Sequence, residues 1–95
     1  MIVKGKTKSG FLFQIDSDKL LSWKFAKAMR DSENKKNGGK QVSGYVTMVE
    51  ILLGDTQALE DHLGGDPSIE QISEEIGEMI LKVRDEIKNS QSLSQ

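Results

Sequence analysis

The chain is expected to fold as a mainly α (α+β) single small domain, an N-terminal β-hairpin followed by about four helices, with residues 89–95 as a flexible C-terminal tail. Three observations predict this. A period-two alternation near the start marks a half-buried strand. A three-then-four spacing of apolar residues fills the last third, as a helix seam requires. Between them, glycines, an Asn/Gly-rich stretch and one proline divide the chain into short helical segments.

The hairpin is placed at residues 2–15. In "GFLFQID", Phe11, Phe13 and Ile15 fall on one face of a strand and Leu12, Gln14 and Asp16 on the other. The preceding "MIVKGKT" is β-branched with interspersed lysines, and "KSG" supplies a glycine that tolerates positive φ between the two runs. Gly5-Lys6-Thr7 looks like the end of a phosphate-binding loop. That motif needs another glycine five residues before Gly5 and a helix after Thr7. Only four residues precede Gly5, and a strand follows, so nucleotide hydrolysis is not expected.

The first helix is placed at about 17–30, with Asp16 and Ser17 as capping residues. Leu21, Phe25, Ala28 and Met29 share one face, and Leu20 and Trp23 widen it. Trp23 is read as core, with a nucleic-acid stacking platform beside Lys24 and Lys27 as the alternative. Asp31–Lys40, "DSENKKNGGK", has no apolar residue and is read as a loop. "YVTMVEILL" is nearly continuous in apolar residues, which suits a buried strand or a buried helix. Gly54 behind it looks like a helix C-cap, so a helix over 44–53 is favoured. A short helix follows at 56–63, with Asp55 as its N-cap and Gly64-Gly65 closing it. The last helix, 67–88, opens on Asp66 and Pro67 and carries the seam Ile69, Ile72, Ile76, Met79, Val83 and Ile87, broadened by Ile80. The seam is read first as core and in part as a surface for another copy or a partner helix. Gly77 weakens this helix by about 1 kcal/mol and is a candidate for close backbone approach.

Composition narrows the function classes. A chain of 95 residues supports one domain with a modest core. The absence of cysteine removes disulfides and thiol chemistry and suits a reducing cytosol. Neither a signal peptide nor a membrane span is expected, because no apolar run approaches the roughly 20 residues a span needs. Residues 1–40 hold ten Lys/Arg against four acids, net +6, whereas residues 41–95 hold three against eleven, net −8. Either the halves pack together and offset these charges, or copies associate head to tail.

No catalytic, cofactor or metal site is expected. His62 is the single histidine, and its neighbour Asp61 does not face it on a helix. Glu74, Glu75 and Glu78 are read as a solvated helix face. The residues put forward for partner binding or self-association are Phe11 and Phe13 on the hairpin and Ile69, Ile72, Ile76, Met79, Val83 and Ile87 on the last helix.

The order of "IVKGKTKSGFLFQID", "LLSWKFAKAM", a polar gap, "ILLGDTQALEDHL" and "IEQISEEI" resembles the tail assembly chaperones of long-tailed bacteriophages and prophages of Gram-positive bacteria, over nearly the whole chain to about Lys88. The resemblance rests on the ordered set "SGF.F.ID", "W.F", "LLGD.Q....HL" and "I..EI". It implies a non-enzymatic protein of the host cytoplasm that coats the hydrophobic tape-measure protein, promotes polymerisation of tail-tube protein around it, and is absent from the mature virion. It also implies a mostly helical fold, a homo-oligomer in the form of a ring or spiral, and a longer form made by frameshifting near the end of the short one. The rival readings are a small nucleic-acid-binding regulator, against which the net charge of −2 argues, and a structural head–tail component.

Overall fold

The structure, a computed structural model, describes residues 1–93. It bears out the fold class: a two-stranded antiparallel hairpin, then four α-helices packed into one small domain.

Strand β1 (Ile2–Lys6) pairs with β2 (Leu12–Asp16) in the register Val3↔Ile15 and Gly5↔Phe13. The turn is a three-residue loop. The Gly10 N–H bonds the Thr7 carbonyl at 2.9 Å, and Gly10 itself has φ 94°, the left-handed conformation that this hairpin type demands. Val3, Phe11, Phe13 and Ile15 point inward together. Gly5 belongs to the same face because the Phe13 ring occupies the space its side chain would need.

The helix expected over 17–30 is divided. Ser17–Leu21 form a 3₁₀ turn, and Ser22 then adopts an extended conformation and caps a new helix, α1 (Trp23–Ser32), by accepting from the Phe25 N–H at 3.0 Å. Phe25, Ala28 and Ser32 are buried along one stripe. The break shifts the helical phase, and with it the places of Leu21 and Trp23: they are 81% and 77% exposed rather than core.

Helix α2 (Gly38–Leu53) begins six residues before the expected start at 44. The Asn37 side chain caps it by accepting from the Lys40 N–H, and Gly54, with φ 91°, ends it. Only the middle of the expected loop, 33–37, lies outside helix. α1 and α2 form an antiparallel pair that is tightest at Gly44, where an added Cβ would lie 2.4 Å from the Ser32 backbone nitrogen. The close approach expected at Gly77 is absent; nothing stands within 4 Å of a Cβ built there.

Helix α3 (Gln57–His62) is followed by Gly64 and Gly65, both with positive φ, and by α4 (Ile69–Leu93). Ser68, not Asp66, caps α4. Its hydroxyl accepts from the Gln71 N–H at 3.1 Å while the Gln71 side chain accepts from the Ser68 N–H at 2.9 Å, a reciprocal capping box. The helix runs through 89–93, where a flexible tail was expected; residues 94 and 95 of that tail lie outside the described residues. At about 1.5 Å per residue, 25 residues span roughly 37 Å, which accounts for most of the 44 Å long axis.

The core joins every element: the inner hairpin face, Phe25 and Ala28, Met48, Val49 and Leu52, Leu59, and Ile76, Met79, Ile80 and Val83.

Candidate binding surfaces

The residues put forward from sequence as contact candidates are mostly interior. Phe11 and Phe13 are buried against the helices, and so are Ile76, Met79 and Val83; Ile69, Ile72 and Ile87 are half-buried at the two ends of the seam. A domain this small needs both the hairpin face and the seam to close its core. Most of both is spent on the core, and of these residues Phe13, Ile69, Ile72 and Ile76 border surface recesses.

A cluster of chemistry-bearing side chains sits at the hairpin turn. Glu75, 4% exposed, accepts from the Thr7 hydroxyl at 2.7 Å and from the Ser9 hydroxyl at 2.9 Å on the same oxygen. Glu78 accepts from the Lys8 backbone N–H at 2.7 Å. His62 Nε2 lies 3.1 Å from the Ser9 hydroxyl and 3.0 Å from the Ser9 carbonyl oxygen, and its ring packs on Phe11 with centroids 5.4 Å apart. The solvated glutamate face expected from sequence is thus reduced to Glu74. Glu75 shares its face with Ile72 and Met79, three and four residues away, and that spacing is the sequence signal that marks it as buried.

Serine, histidine and a carboxyl group meet here, but not in the order that activates a nucleophile. In a hydrolytic triad the acid holds the far ring nitrogen of the histidine. Here Glu75 bonds the hydroxyl itself, and Nδ1 of His62 has no partner among the described residues. The arrangement fastens the turn to α3 and α4. Thr7, the last residue of the phosphate-loop look-alike, serves this clamp. Among the described residues, no three His, Asp or Glu side chains converge to hold a metal ion, and no helix is long and apolar enough to cross a membrane.

Three apolar features of the described surface bear on binding. The first is a strip on the hairpin. Leu12, 75% exposed, lines one shallow recess with Lys4, Lys6 and Gln14, and Leu81 of α4, 61% exposed, lines a second with Lys8, Glu78, Lys82 and Asp85; the two recesses adjoin at Gly5 and Phe13. Met1–Ser17 and Thr7–Phe11 are hydrogen-bonded pairs of the hairpin. Because such pairs alternate along antiparallel strands, Lys4 and Lys6 turn their backbone groups outward from β1, and no third strand pairs with them among the described residues. The second feature is the projection made by Leu21 and Trp23, flanked by Lys19, Lys24 and Lys27. The third is a cleft of about 240 Å³ between α2, α3 and the start of α4, walled by Tyr45, Val46, Val49, Leu59, Ile69 and Ile72. Glu60 and Asp66 stand at its rim.

No ion pair among the described residues joins the charges of the two halves. Among the described residues there are three ion pairs, Met1 N-terminus–Asp16, Arg30–Asp31 and Lys82–Glu86, and each lies within one half. The ten basic side chains of residues 1–40 are all exposed.

Comparison of the chain with protein-family models, with curated proteins and with solved structures returns no match.

Proposed function

We propose that this chain is a phage tail assembly chaperone: a non-enzymatic, self-associating protein that holds an apolar segment of the tape-measure protein in the host cytoplasm, promotes tail-tube polymerisation around it, and does not remain in the virion. The sequence resemblance motivates the reading, and the observation that carries it is the strip from Leu12 to Leu81. Exposed leucines among charged side chains, bordered by an open strand edge, suit a client that is itself apolar and prone to aggregate, through side-chain burial or strand addition. Lysines on the strip keep the free protein from pairing with itself there.

The test is co-expression with tape-measure fragments that are insoluble alone. The wild-type chain is expected to keep a fragment in the supernatant, and the double variant Leu12→Asp, Leu81→Asp to lose this while retaining its circular-dichroism spectrum and melting temperature. A fragment that stays in the pellet with the wild-type chain overturns the proposal.

The exposure of Trp23 beside Lys24 and Lys27 favours, as a second reading, a small nucleic-acid-binding regulator. A gel shift at low salt separates the two: retarded DNA or RNA with Trp23 required supports the regulator, and free probe excludes it.

A further inference from the structure

The chain carries two exposed apolar features of opposite shape and opposite border. Leu21 and Trp23 project, 81% and 77% exposed, from a segment whose lysines at 19, 24 and 27 are exposed too. The α2–α3–α4 cleft is recessed, apolar on its walls, and edged by Glu60 and Asp66. Neither set of charges is spent within the molecule. None of these lysines or rim acids belongs to an ion pair among the described residues. The sizes also agree: a cavity of about 150 Å³ takes benzene, so 240 Å³ has room for an indole. The projection does not fill its own cleft, since neither Leu21 nor Trp23 lines it and both face solvent.

We propose that the cleft receives Trp23 and Leu21 of a second copy of this chain. The two surfaces are different patches, so a single contact between two copies is heterologous and leaves a free projection on one copy and a free cleft on the other; its repetition gives a ring or an open helical chain. Trp23 is the anchor of the contact, the buried aromatic at the centre. The lysines meeting Glu60 and Asp66 form its polar rim and set its direction. This rests on the self-association in the reading above but not on tape-measure binding, so the experiment uses the chain alone.

Trp23 is the single tryptophan, and its emission reports on the site directly. Wild-type protein diluted from millimolar to sub-micromolar concentration is followed by sedimentation velocity and by Trp23 emission and acrylamide quenching. Association accompanied by a blue shift and reduced quenching is the expected result. Trp23→Ala removes the projection, and Val46→Asp blocks the cleft at a wall residue that is 45% exposed; both are expected to fold and to associate at least about thirtyfold more weakly. An equimolar mixture of the two variants is expected to stop at a heterodimer, because one intact projection meets one intact cleft. Oligomers that persist in both variants overturn the proposal, as does a wild-type chain that stays monomeric at millimolar concentration. A mixture that fails to complement overturns it, and so does Trp23 emission that responds to added oligonucleotide but not to protein concentration.

Discussion

Replacing Gly44 by alanine tests how the helical pair is assembled. An ideal Cβ at this position lies 2.4 Å from the Ser32 nitrogen, 2.6 Å from the Ala28 carbonyl oxygen and 2.9 Å from the Asp31 carbonyl carbon. All three are backbone atoms of α1, which cannot swing aside as a side chain can. Restoring ordinary contact near 3.4 Å requires α1 and α2 to separate by about 1 Å, and that loosens Phe25 and Ala28 against Met48 and Leu52. Overpacking of this kind costs about 1–3 kcal/mol, and three backbone clashes place it at the upper end. Alanine returns about 1 kcal/mol through its better helix propensity, which leaves a net loss of about 2 kcal/mol. For a domain of this size that lowers the melting temperature by roughly 8–16 °C. Gly77→Ala is the control. It is also a helical glycine, but nothing lies within 4 Å of the added methyl group, so the propensity gain stands alone and the melting temperature rises by roughly 4–8 °C. Thermal melts followed at 222 nm distinguish the two. A Gly44→Ala protein that melts at or above the wild type refutes the close approach and the packing of the pair built on it.

Glu75→Ala is expected to cost about 2 kcal/mol, because the buried Thr7 hydroxyl loses its acceptor; a Thr7→Ala, Glu75→Ala double-mutant cycle in urea that shows no coupling counts against the clamp. Ser68→Ala should destabilise by about 1 kcal/mol through loss of the capping box, and Asp66→Ala by much less, which urea midpoints resolve. Phe13→Ala, a core truncation, should cost about 3–5 kcal/mol, whereas Leu12→Ala on the opposite face should stay within about 0.5 kcal/mol. Equal losses at 12 and 13 would contradict the hairpin's facing.

The hairpin and α4 were legible in the sequence because their periods, two along Phe11–Asp16 and three-then-four from Ile69 to Ile87, are set by burial of a single face. The helical start at Gly38 was hidden by composition. "NGGK" has loop propensities, and they are overridden by the Asn37 cap and by the packing of α2 on α1. Trp23 was misplaced by an assumption of continuity. With an unbroken helix from Ser17 it falls beside Phe25's stripe, but Ser22 restarts the helix and turns it to solvent. Of the proposed contact residues, the seam was legible as a seam and first as core, whereas the share of it left for another surface was not. Periodicity marks the face that is apolar and leaves open what covers it.

The clamp at the turn bears on the charge asymmetry. Two acids of the negative half, Glu75 and Glu78, reach the positive half, yet they meet hydroxyl groups and a backbone amide rather than lysine ammonium groups. Among the described residues the halves are therefore joined without direct ion pairing, and their exposed lysines and exposed carboxyl groups remain for contacts between molecules. If copies associate through the Trp23 projection, two or three exposed pairs at about 0.2–1 kcal/mol each accompany an apolar insertion. Raising salt from 0.1 to 1 M shortens the Debye length from about 10 to 3 Å and should remove about 1–2 kcal/mol, a weakening of roughly fivefold to thirtyfold that leaves association detectable. Sedimentation across that range decides between the contributions. Complete dispersal would mean that charge alone holds the copies together, with Trp23 idle. Association that is indifferent to salt would remove the acidic rim and its lysines from the contact.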